Sequence, residues 1–431
     1  MTLHHLKYFL PKQFCFGAVT RNLSKTTLAI ETSFDNTAVA VISSDNRILA
    51  DEIFDQVKYH NMTGGTDPRF AKSLHKRHLP KITEKCLLKI GATNIDSVAV
   101  TTMPGRAICL EIGLQYAKDL CRRLEVPMIP VHHMRAHAVV ARMYHSDICY
   151  PFLTLLISGG HCLLALVESV DQFWLLGESL DIAPGHFLDC VANVMGLNEM
   201  EQFKSKSGGA VLDSLAICGD PDLFPINYRG IRMCGGTPLN FSFSGVLAAT
   251  KRAVVKFKQV NSEEYFEEML PHIAAAAMRV VSKHLLHKLT RCMYFLHDKS
   301  IDDNRTLVVS GGCASSRVLT EDLNKLCRLR NYKLFIPPPN VCIDNAVMIG
   351  YTAHEMVESG FEPIRCEDLE TVEVDGFAKI GNDATRSVNI SKHITSNFRR
   401  LTMSEFSIAN EINGFERSSN SFGSFERILK H

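Results

Sequence analysis

The chain of 431 residues has almost no net charge, with Lys+Arg 47 against Asp+Glu 46. That balance excludes a uniformly basic coat, so any contact with a polyanion has to come from a local patch. No apolar run reaches the ~18 residues needed to cross a bilayer, and no membrane-spanning helix is expected. None of the 14 cysteines form a C-x-x-C pair, which argues against zinc ribbons and a disulfide framework. Several lie inside apolar runs (Cys86, Cys109, Cys121, Cys162, Cys292). Reduced thiols pack there as small hydrophobes, and a reducing compartment follows. Acids are absent before Glu31, while Lys7, Lys12, Arg21 and Lys25 are set among Leu6, Phe9, Leu10, Phe14 and Phe16. An acid-free, basic, amphipathic leader has the composition of a mitochondrial transit peptide, and no apolar segment before a small-residue cleavage site supports secretion. Residues 1–26 are read as that leader, with the matrix as destination.

A hydrophobic content of 46% and a charged content of 22% are those of a globular protein. The length allows two or three domains at ~150 residues each. Thr27–Ser33 reads as a buried strand that enters the polar turn Phe34–Thr37 and returns along Ala38–Ser43. Leu153–Ile157, Ser158–His161 and Cys162–Val167 repeat that plan. Thr306–Ser310 enters a further glycine turn, Gly311–Ala314, before a helical stretch from Ser316. Ser97–Thr101 and Met128–Val131 also fit strands, and Ile112–Leu124, Phe187–Met195, Glu263–Phe295 and Asn345–Ser359 fit helices. Alternating strands and helices give an α/β class. Two halves that open alike suggest a duplication with a ligand cleft between them. Glycine turns let backbone N–H groups approach phosphate. Each Gly-Gly pair alone is weak evidence, but these turns together with Ser207-Gly208-Gly209 fit a nucleotide. Beyond about residue 400 the chain is poor in apolar residues and rich in Ser and Asn, a composition expected to be partly disordered.

His133 and His137 follow the apolar strand and stand one helical turn apart, so both imidazoles face one side. Such a pair suits a divalent metal completed by ligands from elsewhere. Taken alone, the pair fits a capping or surface role on an ordinary helix better than a metal site. A peptidase of the H-E-x-x-H kind needs Glu directly after its first histidine; Met134 stands there. Two basic clusters, Lys72, Lys76, Arg77 and Lys81, and Lys251, Arg252, Lys256 and Lys258, read by default as solvated helix faces.

A family resemblance emerges from these stretches taken in order. They are Ala29-Ile-Glu-Thr-Ser33 with Asp35, Val131-His-His-Met-Arg-Ala-His137, Leu156-Ile-Ser-Gly-Gly-His161, and Asp181-Ile-Ala-Pro-Gly185 with Asp189. Phe241-Ser-Phe-Ser-Gly245, Ser310-Gly-Gly312 and Ile343-Asp-Asn-Ala346 complete the series. Over residues 27–365 the chain resembles the TsaD family of tRNA N6-adenosine threonylcarbamoyltransferases, in particular its mitochondrial branch. The resemblance implies a duplicated actin-like, sugar-kinase-like fold of two domains, each a mixed sheet flanked by helices. These would be residues 27–145 and 146–365, with the terminal helix packing back on the first, and an extension over 366–431. It implies one divalent metal per subunit, zinc or iron, held by His133, His137 and Asp344. Nucleotide and acyl contacts would come from Leu156, Ile157, Ser158, Gly159, Gly160, Asp189, Gly209 and Asp213, with Gly311, Gly312, Ser315 and Ser316 near the adenosine.

The implied reaction moves a threonylcarbamoyl group from threonylcarbamoyl-AMP, made by a separate enzyme, to N6 of the adenosine beside the anticodon. The substrates would be mitochondrial tRNAs reading codons that start with A, and a homodimer without membrane attachment is implied. Lys72, Lys76, Arg77 and Lys81 become candidates for tRNA contact. No residue identifies itself as the general base. Some positions depart from the family pattern: Phe34 for a frequent cysteine, Asn36 for an acid, Met103-Pro-Gly-Arg106 for Gly-Pro-Gly-Leu, His186 for an acid and Ser316 for asparagine. These departures leave open a weakened scaffold protein, and the glycine loops suit an ATP-dependent phosphotransferase of sugar-kinase or chaperone type. Such kinases hold magnesium through carboxylates and phosphates, which leaves the histidine pair unexplained.

Residues 1–30 fused to a fluorescent protein should carry it into the mitochondrial matrix. Cytosolic or secreted fluorescence would refute the leader reading.

Overall fold

The computed structural model describes residues 25–56, 59, 67–91, 95–203, 206–226, 237–301 and 304–388. Apart from Lys25 and Thr26, the leader lies outside the described residues, as does the Ser/Asn-rich tail. By its contacts the chain divides into two compact units. One comprises Met1–Leu175, Asn304–Ser315 and Asn331–Ser387; the other comprises Leu176–Asp303, Ser316–Arg330 and Val388–His431.

The first unit opens with β1 (Thr26–Glu31), β2 (Asn36–Ser43) and β3 (Ile48–Asp55), then α1 (Pro68–Ile90), β4 (Ser97–Met103), α2 (Ala107–Leu124) and β5 (Met128–His132). These strands form one sheet in the order β3-β2-β1-β4-β5. The first three are antiparallel, and β4 and β5 continue in parallel. Helices follow at α3 (His133–Val139) and α4 (Ala141–Tyr144), then β6 (Phe152–Ile157), β7 (Cys162–Val167) and β8 (Phe173–Glu178). After the second unit's helices the chain returns as β9 (Thr306–Ser310). The six-stranded second sheet is completed by β10 (Lys333–Phe335) and the short β11 (Asn382–Asp383). Its order, β10-β9-β6-β7-β8-β11, repeats the plan of the first sheet with one edge strand added. The duplication expected from the repeated strand–turn–strand pattern is therefore present as two mixed sheets flanked by helices.

Strand periodicity explains the layers, because successive side chains leave opposite faces. Leu28, Ile30, Val39 and Val41 pack against Leu79, Ile82 and Cys86 of α1 and Leu114 and Cys121 of α2. Ala29, Ala38, Ala40 and Ile42 face the other way, onto Val347 and Ile349 of a helix spanning Ala346–Glu358. The small residues on that face let the helix come close. A Cβ at Gly350 would lie 2.9 Å from Ile42 and 3.2 Å from Ala29. α1 begins under good local control, with Asp67 capping the Arg69 N–H at 2.8 Å and Pro68 in the first turn. Among the described residues every cysteine is free, and Cys86, Cys109, Cys121, Cys162 and Cys292 are buried as expected. Burial pushes the Cys86 and Cys121 thiols up to about 12, so they behave as hydrophobic filler. No described helix is long and apolar enough to cross a membrane.

The second unit is helical: α5 (Pro184–Val194), α6 (Gly208–Ala216), α7 (Ser244–Val260), the long α8 (Glu263–Asp298) and α9 (Arg317–Arg330). Asp181 organises the loop that opens α7. Its carboxylate accepts from the Ser242 hydroxyl at 2.6 Å, the Phe243 N–H at 2.9 Å and the Ser244 hydroxyl at 2.5 Å. Partial burial acts against the charge, but these donors outweigh it and hold the carboxyl at about 2. A depressed carboxyl pKa contributes stability that is present above the ordinary value and lost as pH falls through the folded one. Asp181→Ala should therefore cost about 1–2 kcal/mol at neutral pH. The gap from the parent protein should close between about pH 4 and pH 2, as read from denaturant midpoints. A pH-independent gap would remove Asp181 from this role.

Candidate metal centre

β5 delivers its last residue, His132, to the start of α3. The His132 ring serves the backbone: Nδ1 accepts from the Arg135 N–H at 3.4 Å, and Nε2–H donates to the Lys379 carbonyl at 3.1 Å. Burial, with nearby Arg135, holds this histidine neutral, down at about 3. The next residue turns inward. His133 and His137 sit one turn apart on α3, both buried, with ring centroids 4.7 Å apart and planes at 90°. α3 packs against β6, β9 and the Ala346–Glu358 helix, here α11 after the short α10 (Pro339–Cys342).

Asp344 joins the pair from the turn between α10 and α11. Asn345 fixes that turn, donating to the Ile343 and Val341 carbonyls at 2.6 and 3.0 Å while its side-chain oxygen caps Met348 N–H at 2.9 Å. Asp344 Oδ1 then lies 3.0 Å from His137 Nε2 and 3.5 Å from His133 Nε2. One ligand atom from each of the three residues falls within 4.8 Å of the others.

Behind His133 stands a residue that the sequence reading passed over. Glu31, the last residue of β1, has no exposed surface, and its carboxylate accepts from His133 Nδ1–H at 3.1 Å. The Ser33 N–H and the Thr101 hydroxyl each donate to it at 2.5 Å. Burial would raise Glu31, but His133 and the other donors bring it below the usual carboxylate range. Burial likewise pulls His133 down, yet Glu31 and Asp344 together hold it up at about 9. Asp344 is itself held low: burial opposes the charge, and His133 and His137 overcome it.

The buried Glu31 and the partly buried Asp344, facing neutral-capable imidazoles, form a pocket that attracts positive charge. With Glu31 committed to Nδ1, His133 presents Nε2 toward Asp344, and a divalent cation there would compete with the proton. The buried Nδ1 of His137 has no hydrogen-bond partner among the described residues. The donor set of two imidazoles and one carboxylate thus fits a divalent ion and leaves coordination positions open. Glu31 lies on the far side of the His133 ring from Nε2, so it does not supply the water-activating carboxylate of a peptidase.

The remaining sequence-predicted residues fall into separate groups. Leu156 and Ile157 are buried in the second sheet, with backbones paired to β7 and, at Leu156, to β9. Ser158 shapes the following turn, its hydroxyl accepting from the Gly160 and His161 N–H groups at 3.3 and 3.0 Å. Gly311 sits beside that strand end at φ 96°, where a Cβ would meet the Ile157 carbonyl at 2.4 Å. Only glycine is accommodated there. No described atom lies within 4 Å of a Cβ built at Gly159, Gly160 or Gly312. Ser315 closes its own turn onto the Gly312 carbonyl at 2.7 Å. His161, in the same strand–turn–strand segment, is held down at about 4 by burial and by the His133 charge, which brings this turn within electrostatic reach of the triad.

In the second unit, Asp189 accepts from the Gly209 N–H at 3.3 Å, and Gly208 packs so closely that a Cβ would lie 2.8 Å from the Asp189 Cα. Asp213 caps α9, accepting from the Ser316 hydroxyl at 2.5 Å and from Arg317 and Val318 N–H at 3.1 and 3.2 Å. The short Ser316 hydroxyl therefore points at Asp213. The expected tRNA-contact residues Lys72, Lys76, Arg77 and Lys81 all lie exposed on α1.

A histidine–histidine–carboxylate centre behind a glycine-turn sheet defines a class of metal-binding α/β protein, and comparison with known proteins narrows it. Residues 47–351 match the family model described as TsaD, tRNA N6-adenosine threonylcarbamoyltransferase. A rat protein named tRNA N6-adenosine threonylcarbamoyltransferase, mitochondrial, is 36% identical over 372 residues, covering 84% of this chain and 88% of the relative. Its human counterpart by name is 34% identical over 389 residues, 88% of this chain and 92% of the relative. A Wolbachia pipientis protein named tRNA N6-adenosine threonylcarbamoyltransferase is 34% identical, covering 78% of this chain and 95% of the relative. The chain belongs to the TsaD family of tRNA N6-adenosine threonylcarbamoyltransferases.

Replacing His133 or His137 with alanine should abolish most metal binding while leaving the protein folded. Glu31→Gln should keep all three ligands yet weaken metal affinity by about 10–100-fold, because the ring that Glu31 orients is released. Chelator competition measures both. Parent-like affinity in Glu31→Gln would show that the carboxylate serves only the fold.

Proposed function

We propose that the protein transfers the threonylcarbamoyl group of threonylcarbamoyl-AMP to N6 of the adenosine adjacent to the anticodon. Its substrates are mitochondrial tRNAs reading codons that start with A. The observation that carries this reading is the His133–His137–Asp344 centre, backed by Glu31, in a chain that belongs to this family. The centre takes one zinc or iron ion per subunit. When bound, that ion supplies a Lewis acid that polarises or anchors the acyl group.

The chain's own residues bind and orient. In this reading the open turns at Gly159–Gly160 and Gly312 receive the nucleotide portion. The N6 amine attacks the carbonyl carbon of the mixed anhydride. The new C–N bond forms as the C–O bond to phosphate breaks, and AMP departs with the electron pair while the amine loses a proton. Because the acyl group arrives activated, positioning the two reactants accounts for much of the acceleration. In this reading a separate enzyme supplies the acyl-adenylate and the protein works as a homodimer; the names of its relatives support the mitochondrial location alone. A phosphotransferase of similar fold has no use for two buried imidazoles in its metal set.

The test is direct. Metal-loaded protein, threonylcarbamoyl-AMP and a tRNA transcript of this codon class should yield threonylcarbamoyladenosine, detected by mass spectrometry of digested RNA. Formation should fall at least 100-fold in His137→Ala. Unmodified tRNA with fully loaded parent protein would sink the reading.

A further inference from the structure

We propose that the solvent face of α1, together with Arg106, is the surface that receives the phosphate backbone of the tRNA anticodon arm. This inference rests on the tRNA-modifying reading above. The chain as a whole is electrically balanced, but α1 is not: it carries five lysines and two arginines against the single acid Glu84. The excess is uneven along the helix. Toward its C-terminal end, Lys85 and Lys89 are 3.7 and 3.0 Å from Glu52 of β3, which ion-pairs with both and offsets one of their two charges. From Arg69 to Lys81 no basic side chain makes an ion pair among the described residues, and all five are exposed. At 1.5 Å rise per residue, these five cations cover about 18 Å, the length of several backbone phosphates.

Position gives the charge a purpose. The buried face of α1 carries His75, which bonds to the Phe34 carbonyl through Nε2 at 2.9 Å and to the Thr37 hydroxyl through Nδ1 at 2.8 Å. The helix is thereby docked on the β1–β2 turn. Arg106 packs on the same turn, its N–H donating to the Ser33 carbonyl at 2.8 Å and its guanidinium lying 5.2 Å over the Phe34 ring. That turn also reaches the metal centre, through Ser33 Oγ at 3.3 Å from His133 Nδ1 and Asn36 Nδ2 at 3.4 Å from the Asp344 carbonyl. Cys109 Sγ, three residues past Arg106, lies 3.9 Å from the Pro68 carbonyl, which places the start of α1 beside the segment that carries Arg106.

A row of uncompensated cations therefore runs from the rim of the centre outward along α1. Backbone phosphates flanking a base held at the centre would follow such a track, because phosphate contacts fix register without reading sequence. A second copy of the same helix is a poor occupant, since like charges across an interface repel.

The experiment uses the full-length protein and a tRNA transcript, with affinity measured from about 50 to 300 mM salt. Lys76→Ala with Arg77→Ala should weaken binding and reduce the slope of log affinity on log salt by about 0.7 for each lost phosphate contact. Lys85→Ala with Lys89→Ala removes the same formal charge from the ion-paired end and should leave the slope unchanged. Circular dichroism and metal content should match the parent in both pairs. An unaltered slope in the first pair, or equal flattening in both, overturns the proposal. If the parent protein modifies tRNA while the first pair binds it normally, only the surface assignment fails. If the parent neither binds nor modifies tRNA, the tRNA reading fails and the surface falls with it.

Discussion

A carboxylate with no contact with solvent, at the end of a central strand, is the constraint around which this protein is arranged. Burying Glu31 as an anion would be prohibitive without partners, and the fold supplies three. Ser33 closes a backbone bond back onto it, Thr101 reaches across from β4, and His133 presents Nδ1–H. Each comes from a different part of the first sheet's C-terminal edge, so that edge has to be built before the charge is tolerable. The same arrangement fixes which nitrogen of His133 faces Asp344. Structure and chemistry share one hydrogen bond here, and removing either partner leaves a buried charge unpaired, a loss of order 3–5 kcal/mol.

The second carboxylate depends on a different device. Asp344 is carried by the turn before α11, and α11 reaches its place because Ala29, Ala38, Ala40 and Gly350 leave room for close helix–sheet packing. A larger side chain at Gly350 would meet Ile42 and displace the turn that Asn345 locks. Packing of methyl groups thus sets where an oxygen atom lies. At the far end of α11, Glu355 takes Arg142 at 2.8 Å and the Tyr150 and Tyr351 hydroxyls at 2.9 and 2.5 Å. That network ties α11 to the segment following α3, so the helix that carries His133 and His137 and the helix that follows Asp344 are held by the same group of side chains.

Much of this was legible in the sequence, and what was missed has identifiable physical causes. Strands buried on both faces announce themselves as apolar runs, so β1, β2, β6, β7 and β9 were expected. The histidine spacing fixed the shared face of α3 in the same way. α1 is legible only as a basic, solvated helix face at Lys72–Lys81, without its bounds, because Pro80 interrupts its pattern; the proline falls on the exposed side, where its ring meets solvent. β3 alternates acids with apolar residues at a sheet edge and lacks a buried run, while β10 is only three residues long. The role of Glu31 is not legible in its motif, since nothing local shows that a strand residue will meet a helix residue 102 positions later. Asp213 and Ser316, both nucleotide candidates from the sequence, also cap α9 together, a pairing that spans 103 positions. Partnership across long sequence separations is what a linear reading cannot supply.

The departures from the family pattern become coherent once seen in space. Phe34 and Arg106 are separately unusual, but in the fold they touch, the guanidinium resting on the ring beside the metal-site turn. A cation–π pair of this kind contributes roughly 0.5–1 kcal/mol at an exposed site, which helps hold the arginine over the turn. Asn36, in place of an acid, donates to the Asp344 carbonyl. A carboxylate at that position would have faced the same carbonyl as an acceptor, adding negative charge next to Glu31 and Asp344. With a neutral amide the turn braces the metal-bearing loop instead of repelling it. The rim of the centre is thereby shifted toward positive charge while the ligands His133, His137 and Asp344 are retained, a change that favours a polyanionic substrate and leaves the metal chemistry intact.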